Sequence, residues 1–245
     1  MKSSTKPNWI LKVAGVLPAL LLAAGLGFGG TAPARAGQSS KVIPPNASPH
    51  GQTYGEWSAA WWQWAMELPV DGHPFVDDAG FDVRTGQSGH VWFLAAPFGT
   101  VERTCTIPTG TMLFIGLLNA EASDLEGLGA TEAERRATAE WIADHIVTSS
   151  LSCTIDGKAV ANLGSYRVQS PEFSFTAPTP WIFGSTGGDG VAVADGYFVM
   201  LAPLSAGQHT IHFGGTFHFD AGELDADPHD FSLDMTYHLT VGKAH

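Results

Sequence analysis

The sequence predicts an all-β fold, an antiparallel β-sandwich or jelly roll with two appended α-helices. Short segments rich in β-branched and aromatic residues are separated by Gly, Pro, Asn and Asp, which is typical of strands joined by turns. Two other segments carry helix start signals. Strands and helices do not alternate, so a parallel α/β sheet is not expected. The predicted strands are residues 91–95, 111–118, 152–155, 172–175, 196–201, 209–213, 216–219 and 232–241.

The first 36 residues have the pattern of a secretory signal peptide. Lysines precede a largely apolar run over residues 13–30, and Ala-Arg-Ala at 34–36 places small residues at positions −3 and −1 of a cleavage site. Pro18 and several glycines interrupt the run, which makes it short for a membrane span. We therefore expect a periplasmic or secreted protein with no membrane anchor after cleavage.

The remaining chain is predicted to be one acidic domain. The signal segment contains four of the 12 basic residues and none of the 24 acidic ones, so its removal takes the net charge from −12 to −16. Such a charge repels nucleic-acid phosphates, so no nucleic-acid partner is expected. The length and the hydrophobic content of 44% predict a single domain over residues 51–245, preceded by a polar, flexible leader over 37–50.

Capping boxes mark the start of both predicted helices. In Thr53-Tyr-Gly-Glu56 and in Thr131-Glu-Ala-Glu134, each terminal side chain can bond to the backbone N–H of the other residue. The first helix is expected to end before Pro69. The predicted helices are residues 54–68 and 131–147.

Tryptophans supply most of the candidate ligand-binding residues. At 100° per residue, three tryptophans of the first helix share a face with Leu68 and are expected in the core. Trp62 points off that face, and an exposed indole can stack on a sugar ring. Trp92 lies in a short strand, Trp181 in a connection rich in Pro and Gly, and His90 just after a turn, so each could line a cleft. The expected core residues are Trp57, Trp61 and Trp64, and the candidate ligand-binding residues are Trp62, Trp92, Trp181 and His90.

Cys105 and Cys153 are predicted to form a disulfide bond. An even number of cysteines in an exported chain suggests pairing. The bridge would close a loop of about 49 residues and contribute about 4 kcal/mol in the chain-entropy model. Two free, buried thiols are the alternative.

The last two predicted strands carry a candidate metal site. In both strands apolar and polar residues alternate, and pairing Phe219 with Phe231 keeps the apolar faces together. That register places His212 opposite His238, close enough to share a metal ion. A shift of two residues would keep the faces but separate the histidines. A solvated polar face with incidental histidines is the other interpretation. The candidate ligands of a divalent metal are His212, His238, His218 and Asp234.

Familiar catalytic and cofactor motifs are missing. We find no Gly-x-Ser-x-Gly, His-Glu-x-x-His or Cys-x-x-Cys sequence, no phosphate-binding loop and no EF-hand. Glu121, Asp124 and Glu126 follow a strand and could act as acid and base, or could be ordinary solvated residues before a helix. An acidic run over residues 220–230 matches no known calcium loop. The sequence alone therefore decides neither whether the protein is an enzyme nor which cofactor it uses.

Three segments resemble a group of exported bacterial proteins of unassigned function. They are YGEWSAAWWQW at 54–64, GQSGHVWFL at 86–94 and RTCTIP at 103–108. The resemblance implies an exported single domain and no particular activity. The leading functional prediction is an exported soluble binding protein for a carbohydrate or another envelope component. The alternative is a metal-dependent extracytoplasmic hydrolase or lyase that uses strand-borne histidines and nearby acids.

Overall fold

The structure is a computed structural model that describes residues 42–76 and 81–242, so the predicted signal peptide and its cleavage site lie outside the described residues. The described residues form eleven strands and two α-helices. The helices are α1 (Tyr54–Glu67) and α2 (Glu132–Asp144). In chain order the strands are β1 (Val42–Ile43), β2 (Val91–Leu94), β3 (Gly99–Pro108), β4 (Met112–Ser123), β5 (Ser152–Ile155), β6 (Lys158–Ala159), β7 (Arg167–Gln169), β8 (Phe173–Ala177), β9 (Gly188–Leu201), β10 (Gly207–Phe219) and β11 (His229–Gly242).

The strands form two sheets, which confirms the predicted all-β sandwich with two helices. The first sheet has the order β1-β9-β4-β2, with β7 and β8 also paired to β9, and the second has the order β3-β11-β10-β5-β6. Most pairs are antiparallel, but β2 pairs parallel to β4 and β3 pairs parallel to β11. The sheets are therefore mixed. Between β2 and β4 the chain crosses to the second sheet as β3, and it then returns in the original direction.

Both helices begin at the capping boxes that the sequence predicts. Thr53 and Thr131 each accept a hydrogen bond from the backbone N–H three residues later, and the glutamate there accepts one in return. These local bonds satisfy N–H groups that the first turn of a helix leaves without partners. The observed ends fall one residue before the predicted end of α1 and three before that of α2. No helix in the described parts of the chain combines the length and apolarity needed to cross a membrane.

A bulge in β4 divides this strand between two packing environments. The register with β9 shifts between Gly116 and Leu118, so the intervening residue is extra. Gly116 faces Trp61 of α1, whereas Leu118 faces Gly215 of the second sheet. Beyond the bulge Ala122 packs under α2. Successive side chains of a strand point to opposite faces of the sheet. Glu121, the neighbour of Ala122 on β4, therefore points to the face of the first sheet that α1 covers.

Part of the predicted flexible leader pairs with the first sheet. Val42 and Ile43 lie opposite Leu201 and Met200 in the antiparallel pair of β1 and β9. The hydroxyl of Tyr54, at the start of α1, donates to the carbonyl of Ile43 and accepts from the N–H of Met200. This hydroxyl therefore joins α1 to the edge of the sheet.

The two cysteines are free, so the predicted disulfide is wrong. Cys105 lies on β3 and Cys153 on β5, with β11 and β10 between them. At about 4.8 Å per strand, three strand spacings alone separate the two residues by about 14 Å, and the register offsets them further along the strands. Bonded cysteines have Cα atoms about 4.4–6.8 Å apart. Burial raises the pKa of both thiols to about 12. Thiolate, the form that enters disulfide exchange, is therefore scarce at either position.

Candidate functional site

The predicted register of the last hairpin is wrong by two residues. Phe231 pairs with Phe217 of β10 instead of Phe219, and His212 lies opposite Thr236 while His238 lies opposite Thr210. The apolar faces still coincide, because a shift of two residues preserves the alternation. His212 and His238 become diagonal neighbours, for which Cβ separations are roughly 7–8 Å.

Each histidine of the predicted metal site has a carboxylate partner of its own. His212 pairs with Asp234, His218 with Asp230, and His238 with Glu102. Within residues 42–76 and 81–242, no group of three or more His, Cys, Asp or Glu side chains is placed to hold a metal ion. The site predicted from His212, His238, His218 and Asp234 is therefore not formed.

The His218 imidazole should titrate above the ordinary histidine pKa. Its Nδ1 lies 2.6 Å from Oδ1 of Asp230, and its Nε2 lies 3.4 Å from Oδ1 of Asp220. These carboxylates raise the pKa of His218, and the bond to Asp230 is the main cause. We expect Asp230→Asn to lower this pKa toward the ordinary value in an NMR titration of the imidazole protons. Asp234→Asn is the control and should leave the His218 titration unchanged; equal curves for native protein and Asp230→Asn would contradict the assignment.

The four candidate ligand-binding residues do not meet at one place. Trp62 and Trp181 are buried, with 3% of each exposed, so neither offers the exposed ring that the prediction assumed. Trp92 is half-buried on β2, the edge strand of the first sheet. His90 is exposed, and its ring stacks on that of His50 with the centroids 5.9 Å apart. Of the four, His90 lies in an open groove and Trp62 lines a partly enclosed cavity.

An open depression of about 530 Å³ lies beside α1. Its floor is aromatic: Phe93 of β2 packs against Trp57 and Trp64 of α1, with ring centroids 6.4 and 5.6 Å apart. His90 and Ser88 supply polar groups at its rim. Because Trp57 and Phe93 are only half-buried, part of their surface remains open to a ligand.

A second depression of about 460 Å³ adjoins the first. Gln63 and Glu67, one turn apart on the exposed side of α1, line both depressions. The second depression has a more polar lining, which includes Asp124, Asp189, Ser174 and Thr176. Together the two depressions form one extended site, which we call the α1 groove.

Hydrogen bonds hold the aromatic residues of the α1 groove in place. The indole N–H of Trp57 donates to the carbonyl of Pro49, and that of Trp64 donates to the carbonyl of Thr85. The amide of Gln63 donates to the carbonyl of Ser174. A ligand would therefore meet side chains that are already oriented, which lowers the entropic cost of binding.

The α1 groove is electrostatically negative. Glu67, Asp124 and Asp189 line it, and no Lys or Arg does so among the described residues. One oxygen of each carboxylate already accepts a hydrogen bond, from Thr176 in two cases and from Val191 in the third. The other oxygen of each can accept from a ligand. The groove therefore suits a neutral or cationic ligand that carries hydroxyl or amino donors.

Outside the α1 groove, the fully buried Glu121 interacts with the half-buried Glu126. Glu121 is fully buried, and no N–H or O–H group of the described residues donates to either of its oxygens. Burial and, second, the charge of Glu126 raise its pKa well above the usual range. Ser123 donates to Oε2 of Glu126 at 2.8 Å. A protonated Glu121 could donate to Glu126, and the full burial of Glu121 leaves this carboxyl without access for a substrate.

The sequence indicated some residues of the α1 groove, including the candidate acid Asp124, but missed most of its polar residues. Trp57 and Trp64 were expected in the core, and Trp64 is buried while Trp57 keeps part of its surface open. The spacing of Gln63 and Glu67, four residues apart beside these tryptophans, was the available signal. Asp189 and Ser174 reach the groove through the pairing of β8 with β9, and Asp124 does so through the pairing of β4 with β9. No local pattern reveals these pairings.

Comparisons with known proteins assign neither a family nor an activity. No family model matches the chain, and no curated protein matches it. Among solved structures, the solution structure of amebosin covers 61% of this chain and 99% of its own, at 11% identity and a TM-score of 0.16. That similarity carries no argument about fold or function. The resemblance of the three sequence segments to exported bacterial proteins stays a prediction.

Proposed function

We propose that the protein is an extracytoplasmic binding protein that holds a neutral carbohydrate in the α1 groove. The main support for this proposal is the aromatic floor formed by Trp57, Trp64 and Phe93. Beside this floor lie Gln63 and Glu67, and these two residues line both depressions. Sugar rings present an apolar face and a rim of hydroxyl groups. Aromatic side chains cover such a face, while amide and carboxylate oxygens accept from the hydroxyl groups.

The charge of the groove supports the neutral class of ligand. Three carboxylates without a lining Lys or Arg would repel phosphorylated or carboxylated sugars. Two adjoining depressions, of about 530 and 460 Å³, favour an oligosaccharide over a single sugar. Groups on α1 contact the ligand at the middle, and those on β8 and β9 contact one end.

The test is retention of the purified mature protein on an array of neutral glucans and chitooligosaccharides, followed by calorimetry with the best-retained oligosaccharide. We expect Gln63→Ala to weaken binding about three- to tenfold, which corresponds to one hydrogen bond. Trp57→Ala should weaken it about tenfold or more, because an apolar ring face loses its contact.

Gln208→Ala is the matched control for Gln63→Ala. Gln208 is also exposed, and its amide also donates to a single acceptor, Oγ1 of Thr240, on the far side of the sandwich. Trp92→Phe is the control for tryptophan loss, because Trp92 lines neither depression. Native affinity is expected for both controls. Absence of binding to every neutral glycan, or equal losses in Gln63→Ala and Gln208→Ala, would overturn the proposal.

A further inference from the structure

A partly enclosed cavity of about 70 Å³ lies between α1 and the two sheets. Its walls are mostly apolar, with six aromatic residues among the thirteen that line it, and come from α1, from the chain segments that carry Phe75 and Phe183, and from both sheets. The lining includes Trp61, Trp62, Phe75, Phe98, Phe183 and Asn119. No charged residue lines it among the described residues. The cavity is separate from the α1 groove, since the two share no lining residue.

Trp62 is the exception among the four tryptophans of α1. The indole N–H groups of Trp57, Trp61 and Trp64 each donate to a backbone carbonyl. Trp62 is as buried as its neighbours, yet its Nε1 has no hydrogen-bond acceptor among the described residues. Buried indole N–H groups usually have a partner, so a buried donor without one at the wall of a cavity points to an acceptor supplied from outside the chain.

The size and lining of the cavity define the occupant. Its volume is several times the roughly 10–15 Å³ that one water needs. A cluster of waters is disfavoured, because each ordered water needs about 2–4 polar partners. Among the described lining residues only Trp61, Trp62 and Asn119 have polar side-chain groups, and the N–H of Trp61 already donates to the carbonyl of Leu94. The aromatic walls favour an apolar body, and the absence of charge favours a neutral one.

We propose that this cavity binds a small neutral organic molecule with an apolar body and one hydrogen-bond acceptor. The acceptor accepts a hydrogen bond from the indole N–H of Trp62. Phe75, Phe183 and Trp61 surround the Trp62 ring at centroid distances of 5.1–6.3 Å and would contact the apolar body. The amide of Asn119 supplies a second polar contact. This site does not depend on the carbohydrate proposed for the α1 groove.

Benzene and pyridine are the matched probes, because they have nearly the same shape and only pyridine carries an acceptor. Calorimetry at pH 8, where pyridine is neutral, should show that both bind the mature protein. Trp62→Phe removes the N–H and keeps an aromatic wall. We expect this variant to weaken pyridine binding about three- to tenfold more than benzene binding, which is the effect of one hydrogen bond.

Ala96→Leu fills part of the cavity and should weaken both probes at least tenfold, because Ala96 is a lining residue. Trp92→Phe, outside the lining, should leave both affinities unchanged. The proposal is overturned if neither probe binds, if Trp62→Phe alters both affinities equally, or if folded Ala96→Leu binds both probes as the native protein does. If Ala96→Leu does not fold, the Trp62→Phe comparison decides alone.

Discussion

Replacing Arg103 by alanine should lower the free energy of unfolding by about 3–5 kcal/mol, as expected when one member of a buried polar network is removed. Arg103 is 1% exposed on β3. Its guanidinium donates to the carbonyls of Ala95 and Pro74 at 2.9 Å and to the hydroxyl of Tyr237 at 3.0 Å. It also lies over the Phe81 ring, 5.0 Å from the centroid. Alanine would leave these acceptors buried without the donor and would leave a cavity.

Urea unfolding of native protein and variants measures this effect. Arg103→Lys should recover only part of the loss, because a single ammonium cannot reproduce the planar fork that reaches three acceptors. Arg84→Ala is the matched control: Arg84 is exposed and pairs with exposed Asp82, so its removal should leave the unfolding midpoint essentially unchanged. A midpoint for Arg103→Ala equal to that of Arg84→Ala would show that the network does not stabilise the fold.

Glu121→Gln should stabilise the protein at neutral pH by about 1–3 kcal/mol. The pKa of Glu121 is raised in the folded state, chiefly by burial, so the native protein holds its proton where the unfolded chain has lost it. Between the ordinary glutamate pKa and the raised value, the contribution of Glu121 to stability falls as the pH rises. Glutamine cannot ionise, and its amide can donate to Glu126, so this decline should disappear.

The measurement is urea unfolding of both proteins at several pH values from about 4 to 8, near and above the ordinary glutamate pKa. We expect the stability difference between variant and native protein to be small at the acidic end and to grow with pH. Glu140→Gln, an exposed position on α2, is the control and should follow the native profile. A stability difference that does not change with pH would show that Glu121 ionises as it does in the unfolded chain.

Signals within a few residues predicted the local structure correctly. The capping boxes predicted the first residues of α1 and α2 correctly, because a capping box involves only the N-cap residue and the first turn of the helix. The alternation in β10 and β11 correctly assigned the inward and outward faces. It could not assign the register, since pairing Phe231 with Phe217 or with Phe219 buries the same set of side chains.

Features that depend on distant parts of the chain were not predictable in this way. The helical wheel placed Trp62 off the buried stripe, but Phe75 and Phe183 cover it from outside α1. The bulge at Leu117 lies in a continuous apolar run, so no change in alternation marks it. Cys105 and Cys153 were paired because an even number of cysteines in an exported chain suggests a disulfide, but the strand order separates them.

The position of β11 has a consequence for how the chain reaches its fold. β11 lies between β10, its hairpin partner, and β3, and the bond from Arg103 to Tyr237 joins residues 134 positions apart. Pairings of such separation form slowly, whereas a hairpin forms in microseconds. Until β11 has been synthesised, β3 and β10 each present an open backbone edge, which invites aggregation. A chain truncated before β11 should therefore aggregate more readily than the full chain.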